Sequence, residues 1–167
     1  SILENNSREL ETRIESKVLK ALIVDSFPRW EYRFLRNALE RDPRVDMNSV
    51  LLHPGMNPGD GRGYLREFPG SPEELAPYDV VFIGDIGLEE GELSEDDCEA
   101  LANLVRLQAS GVIFLPGRRG RQPSLADSPL GDLIPVAFDP AKPRGVGTSN
   151  SSAITLTKKG RNHWLTT

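Results

Sequence analysis

The chain has 167 residues, 38% of them hydrophobic and 27% charged, the composition of a soluble globular protein with one core. A net charge of -5 and a pI near 5.1 argue against a nucleic-acid surface, which would show a clustered basic face. No apolar run approaches the roughly 20 residues needed to span a bilayer, and no secretory leader is read at the start of the chain. One cysteine cannot form an internal disulfide, and two histidines and a cysteine far apart in sequence match no metal-ligand spacing. No metal or cofactor is therefore expected.

Residues 1–16 are polar, and from Glu9 to Ser16 charged residues alternate with apolar or hydroxyl ones. That period of two predicts an edge strand or the tail of a preceding domain. The segment from Lys17 to Arg41 organises the rest of the chain. Val18 to Val24 is an almost continuous apolar run broken by Lys20, as in a strand of a parallel sheet covered on both faces. Asp25 and Ser26 end it, and Pro28 suits the first turn of a helix. Within that helix Trp30, Phe34 and Ala38 form one apolar row and Leu35 and Leu39 the next. Glu31 falls on the face of Leu35 and Ala38, unusually inward for a charge, which predicts pairing with an arginine.

Asp42-Pro43 stops the helix, and Ser49 to His53 reads as a short second strand. Residues 54–72 are rich in glycine and proline and read as a flexible connector, since Gly59, Gly61 and Gly63 do not sit between a strand and a helix. Val80 to Gly84 is a third buried strand ending at Asp85. Ser94 then caps a helix, with Asp97 completing a capping box and Leu93 and Cys98 in the staple positions. Cys98, Leu101, Ala102 and Val105 continue its apolar face. Gly111 leads into a fourth strand, Val112 to Leu115, with Pro116-Gly117-Arg118-Arg119-Gly120-Arg121 after it. A helical turn is expected over Ser128 to Leu133, a short strand over Pro135 to Phe138, and an alternating strand over Ala153 to Thr157. Strands alternating with helices predict an α/β sandwich with a mainly parallel sheet.

In a parallel sheet Asp25 and Asp85 both lie at the carboxyl edge, where such folds place their sites. Two carboxylates there would hold a cation or share a proton, or each would cap a turn. Arg118, Arg119 and Arg121 should project from the same edge, either to bind an anion or to neutralise Asp25, Asp85 and Glu31. Cys98, in a staple among acidic residues, reads as core packing rather than as a nucleophile. His53 and His163 lie near strand ends without an evident partner.

Three segments together resemble one family: Val-Asp-Ser-Phe-Pro-Arg-Trp-Glu-Tyr-Arg-Phe-Leu (24–35), Tyr-Asp-Val-Val-Phe-Ile-Gly-Asp (78–85) and Ser-Pro-Leu-Gly-Asp-Leu-Ile-Pro-Val (128–136). The chain is similar over residues 17–165 to the class I glutamine amidotransferase-like domain of large bacterial membrane proteins that also carry a von Willebrand factor A domain. The resemblance implies a flavodoxin-like three-layer αβα sandwich, soluble itself but part of a longer membrane-anchored polypeptide. The expected divisions are an edge strand or linker over 1–16, an α/β core over 17–140, and a loop with a C-terminal edge strand, expected to be truncated, over 141–167. Enzymes of that fold carry a cysteine at a strand-to-helix elbow with a later histidine and glutamate. Here the corresponding turn is Pro116-Gly117-Arg118-Arg119, and no His-x-Glu segment occurs. The expectation is a non-catalytic module acting in protein interaction or ligand sensing. Its partners are expected to be proteins or other domains of the parent chain, with no nucleic acid and no membrane insertion. The candidate binding edge comprises Asp25, Arg29, Trp30, Glu31, Arg33, Asp85, Arg118 and Arg119. The alternative is an enzyme or phospho-acceptor using Asp25 and Asp85.

Overall fold

The structure, a computed structural model, describes residues 17–53, 61–139, 141, 156, 158 and 160–162. The chain divides into two compact units, Ser1–Ala137 and Phe138–Thr167. In the second, the described residues include a single 3-10 turn, Gly160–Asn162, with the Arg161 guanidinium donating to the Leu156 carbonyl. The strand expected over 9–16, His163, and all of the strand expected over 153–157 except Leu156 lie outside the described residues.

The first unit is built on four strands, β1 (Leu19–Asp25), β2 (Val45–Leu51), β3 (Val80–Ile83) and β4 (Gly111–Phe114). They form one all-parallel sheet in the order β2-β1-β3-β4. The helices are α1 (Trp30–Glu40), α2 (Pro72–Leu75) and α3 (Glu95–Gln108), with 3-10 turns at Gln122–Asp127 and Gly131–Leu133. Alternation along the strands sends Leu22, Val24, Val50, Val81 and Ile83 to one face, against Leu75 of α2 and Cys98, Leu101, Ala102 and Leu104 of α3. Ala21, Ile23, Met47 and Leu51 point to the other, against Tyr32, Leu35 and Leu39 of α1. Helices thus pack on both faces of a parallel α/β sheet, which is the architecture predicted at this level.

Local chemistry explains the element ends. Ser94 and Asp97 form the expected capping box, each side chain accepting the other's backbone amide. An equivalent box at Ser71 and Glu74 starts α2, inside the stretch read as a connector. The first unit also places a strand edge where none was expected. Ser49 pairs with Tyr64, its amide donating to Gly63 and its carbonyl accepting from Leu65, so residues 61–65 cover part of the outer edge of β2. Gly63 is required there: its φ is +82°, and a Cβ would fall 2.6 Å from the Met47 carbonyl oxygen.

Four expectations are corrected. The second strand begins at Val45, not Ser49, and ends at Leu51, leaving His53 beyond it. Asp46 and Asn48 disguise its first half because they alternate with Val45 and Met47, Asp46 facing solvent and Asn48 accepting the Tyr78 hydroxyl. Pro135 to Phe138 form no strand. The row of Trp30 and Phe34 does not face the core: these side chains are 69% and 67% exposed. Tyr32 and Arg36 are buried in their place, because the Ser49 hydroxyl stands opposite them. Glu31 likewise points outward, its side chain 63% exposed and 3.7 Å from the Arg29 guanidinium.

Candidate functional site

Because all four strands are parallel, Asp25, Leu51, Ile83 and Phe114 end at one edge, and the charged residues of the candidate binding edge lie at the end of β1, in the loops or in the first turn of α1 there. Asp25 is 1% exposed and Asp85 2%. A carboxylate so buried needs donors on both oxygens, and each has them. Asp25 Oδ1 accepts the Ser26 amide at 2.8 Å and the Asp85 amide at 3.3 Å, while Oδ2 accepts Arg29 Nε at 2.7 Å. Asp85 Oδ2 accepts the Arg119 amide at 2.6 Å, and Oδ1 the Arg121 amide at 3.0 Å. Ser26 Oγ donates to the Asp85 carbonyl at 2.8 Å.

The two aspartates are therefore neighbours, joined through the Asp85 amide, but their carboxylates serve different partners. Asp25 closes on α1 through Arg29, and Asp85 pins the turn after β4. Close packing enforces this. A Cβ at Gly84 would sit 2.2 Å from Asp25 Oδ2, and one at Gly117 2.4 Å from Asp85 Oδ2. Burial pushes the Asp25 carboxyl above its ordinary value, and Arg29 and the Ser26 amide oppose that push. A cation on Asp25 would have to displace or face the Arg29 guanidinium. Among the described residues no group of three or more histidine, cysteine or acidic side chains is placed to hold a metal ion.

Arg29 does more than pair. Its remaining nitrogens donate to the carbonyls of Leu115 at 2.6 Å and Pro116 at 3.1 Å, binding the carboxyl ends of β1 and β4 across β3. Arg119 and Arg121 act through their backbones on Asp85, and their side chains go elsewhere. Arg119 lies over the Phe27 ring and donates to Glu92 Oε1 at 3.3 Å; Arg121 pairs with Glu89. Neither neutralises Asp25 or Glu31. Arg118 is exposed, and Arg33 stacks over Trp30 with its guanidinium carbon 5.5 Å from the ring centre.

Several residues of this edge carried no legible signal. Glu92, in the acidic loop before α3, has a side chain only 4% exposed and accepts the Gly87 amide at 2.7 Å. Burial raises its pKa, against the pull of that amide and of Arg119. Gln122 is 3% exposed and its amide donates to the Ile83 and Gly84 carbonyls at 2.9 and 2.8 Å. His53 packs against Phe27 with ring centres 4.0 Å apart and the planes tilted by 52°, and its buried Nδ1 has no partner among the described residues. Cys98 is fully buried in the α3 face of the core, and burial raises its thiol pKa. A separate open basin of about 590 Å³ lies at the amino end of β2, lined by Glu40, Asp42, Asp46, Met47, Asn48 and Arg62. It shares no residue with the carboxyl edge.

Compared with protein-family models, with curated proteins and with solved structures, the chain gives no significant match.

Proposed function

We propose that this chain is a non-catalytic module of the class I glutamine amidotransferase-like kind, with a flavodoxin-like sandwich, acting in protein interaction or ligand sensing. The motifs at 24–35, 78–85 and 128–136 carry the family reading, and with it the expectation of a longer, membrane-anchored bacterial parent chain with a von Willebrand factor A domain. The observation that supports loss of chemistry is the state of the carboxyl edge. The turn after β4 holds no nucleophile, and its Arg119 and Arg121 amides, the donors an oxyanion would need, are occupied by Asp85. The rival reading, a phospho-acceptor or enzyme using Asp25 and Asp85, requires an accessible carboxylate, and both are buried and fully bonded.

The test is a direct assay of ammonia release from glutamine by the purified chain, together with incubation with magnesium and a small phosphodonor. The expected result is no turnover above buffer and no labelled protein. Ammonia release abolished by Cys98→Ala, or a phosphate on Asp25 or Asp85, would overturn the reading.

A further inference from the structure

The outer face of α1 exposes two large aromatic side chains that the fold does not use. Trp30 and Phe34 stack with ring centres 5.9 Å apart and an interplanar angle of 27°, while remaining 69% and 67% exposed. Arg33 lies over the indole, so the three side chains form a preorganised shelf. Trp and Arg together on such a shelf are the side chains that most often anchor protein interfaces. The charges around them are asymmetric. The acids of the helix are engaged by its inward arginines: Glu31 pairs with Arg29, and Glu40 with Arg36 at 2.6 Å. Arg33 and Arg41, both exposed, have no acidic partner among the described residues. The stripe is thus aromatic with two uncompensated cations, on a chain whose net charge is -5.

We infer that this stripe docks an acidic amphipathic helix of a partner polypeptide, its aliphatic residues covering Trp30 and Phe34 and its carboxylates meeting Arg33 and Arg41. The inference rests on the interaction-module reading and names its partner's chemistry. Arg33 and Arg41 are eight residues apart, about 12 Å along the helix, so acids two turns apart on the partner match them. Charge excludes a second copy as the occupant, since two copies would set Arg33 and Arg41 against themselves. A wholly covered aromatic contributes roughly 150–250 Å², so the exposed two-thirds of this pair supply roughly 200–340 Å², an area that suits a short, weakly held peptide segment rather than the ~800 Å² per partner of a stable interface between folded proteins.

The experiment selects a displayed library of random 20-residue peptides against the whole chain. Enrichment of peptides with aliphatic residues between acids two turns apart is expected. Trp30→Ala with Phe34→Ala should weaken them about tenfold or more, and Arg33→Glu with Arg41→Glu should abolish their binding. All four side chains are solvent-facing, so unchanged circular dichroism and melting will confirm that the variants fold. No enrichment, or enriched peptides lacking acids, overturns the inference. So does binding to phosphatidylglycerol vesicles that needs Trp30, or a dimer dispersed by Phe34→Ala. Peptides indifferent to Trp30 and Phe34 overturn this surface while leaving the module reading intact; glutamine turnover defeats that reading whatever the peptides do.

Discussion

Arg29 follows Asp25 by four residues, and its guanidinium runs from the Asp25 carboxylate to the Leu115 and Pro116 carbonyls. One side chain so neutralises a buried charge and ties down the end of the edge strand. Arg29→Ala would leave Asp25 buried and unpaired, a cost of about 3–5 kcal/mol. Urea unfolding should show that loss. Arg29→Lys should recover only a minor part of it, since an ammonium cannot span three acceptors with one planar fork. A loss below about 1 kcal/mol, the scale of an exposed pair, would mean that the bond contributes little.

Gly117 and Gly84 leave room for the two carboxylates. Neither lies at positive φ, so the constraint is space alone. Gly117→Ala should cost about 1–3 kcal/mol through overpacking, and free the turn so that trypsin cuts after Arg118 and Arg119. Gly61→Ala, whose added carbon would meet only the Tyr64 ring at 3.4 Å, is the matched control and should change neither stability nor cleavage.

Cys98 has no exposed surface, and its thiol pKa is raised by burial. A chromogenic disulfide at neutral pH should leave the native protein unmodified and titrate one thiol after unfolding. Fast native reaction would contradict the packing of α3 and bring the cysteine back as a candidate nucleophile.

Glu92 gives a pH signature of definite sign. Its folded pKa is raised above the ordinary 4.5, chiefly by burial. The folded state therefore holds the proton more tightly than the unfolded one, and this contribution to stability is full below 4.5 and disappears as pH rises through the raised folded value. Glu92→Gln removes the titration. The stability of the natural chain relative to this variant should fall as pH rises from about 4 toward neutrality, as read from urea midpoints. A difference that is flat or rises with pH would show the carboxylate to be stabilised by its donors more than it is penalised by burial.

How much of the fold could be read from the chain depends on the range of each signal. The apolar runs of β1, β3 and β4 and the Ser94–Asp97 box are local, and all appear where expected. Tyr32 and Arg36 facing inward depend on Ser49, thirteen residues beyond Arg36 on another element, so hydrophobicity alone chose Trp30 and Phe34 wrongly. At the carboxyl edge, Asp25 and Asp85 were legible as strand-end acids. Their partners were not, because Arg119 and Arg121 serve Asp85 through main-chain N–H groups that any residue but proline supplies. Glu92 and Gln122 gave no sign at all, since a buried acid and a buried amide look like solvated ones until the groups they bond are known.

Parallel pairing has a kinetic consequence. The sheet consists of two βαβ halves, β1–α1–β2 and β3–α3–β4, and only the β1–β3 pairing joins them. Leu19 meets Val45 and Val80 meets Gly111, but Ala21 meets Val80, 59 residues away and the longest closure in the sheet. Such a seam is expected to zip last and part first. The bonds of Ser26 to Asp85, Asp85 to Asp25 and Arg29 to Leu115 all cross it. The polar cluster at the carboxyl edge thus acts as the bolt between the two halves of the sheet, and cutting it should quicken unfolding far more than it slows refolding.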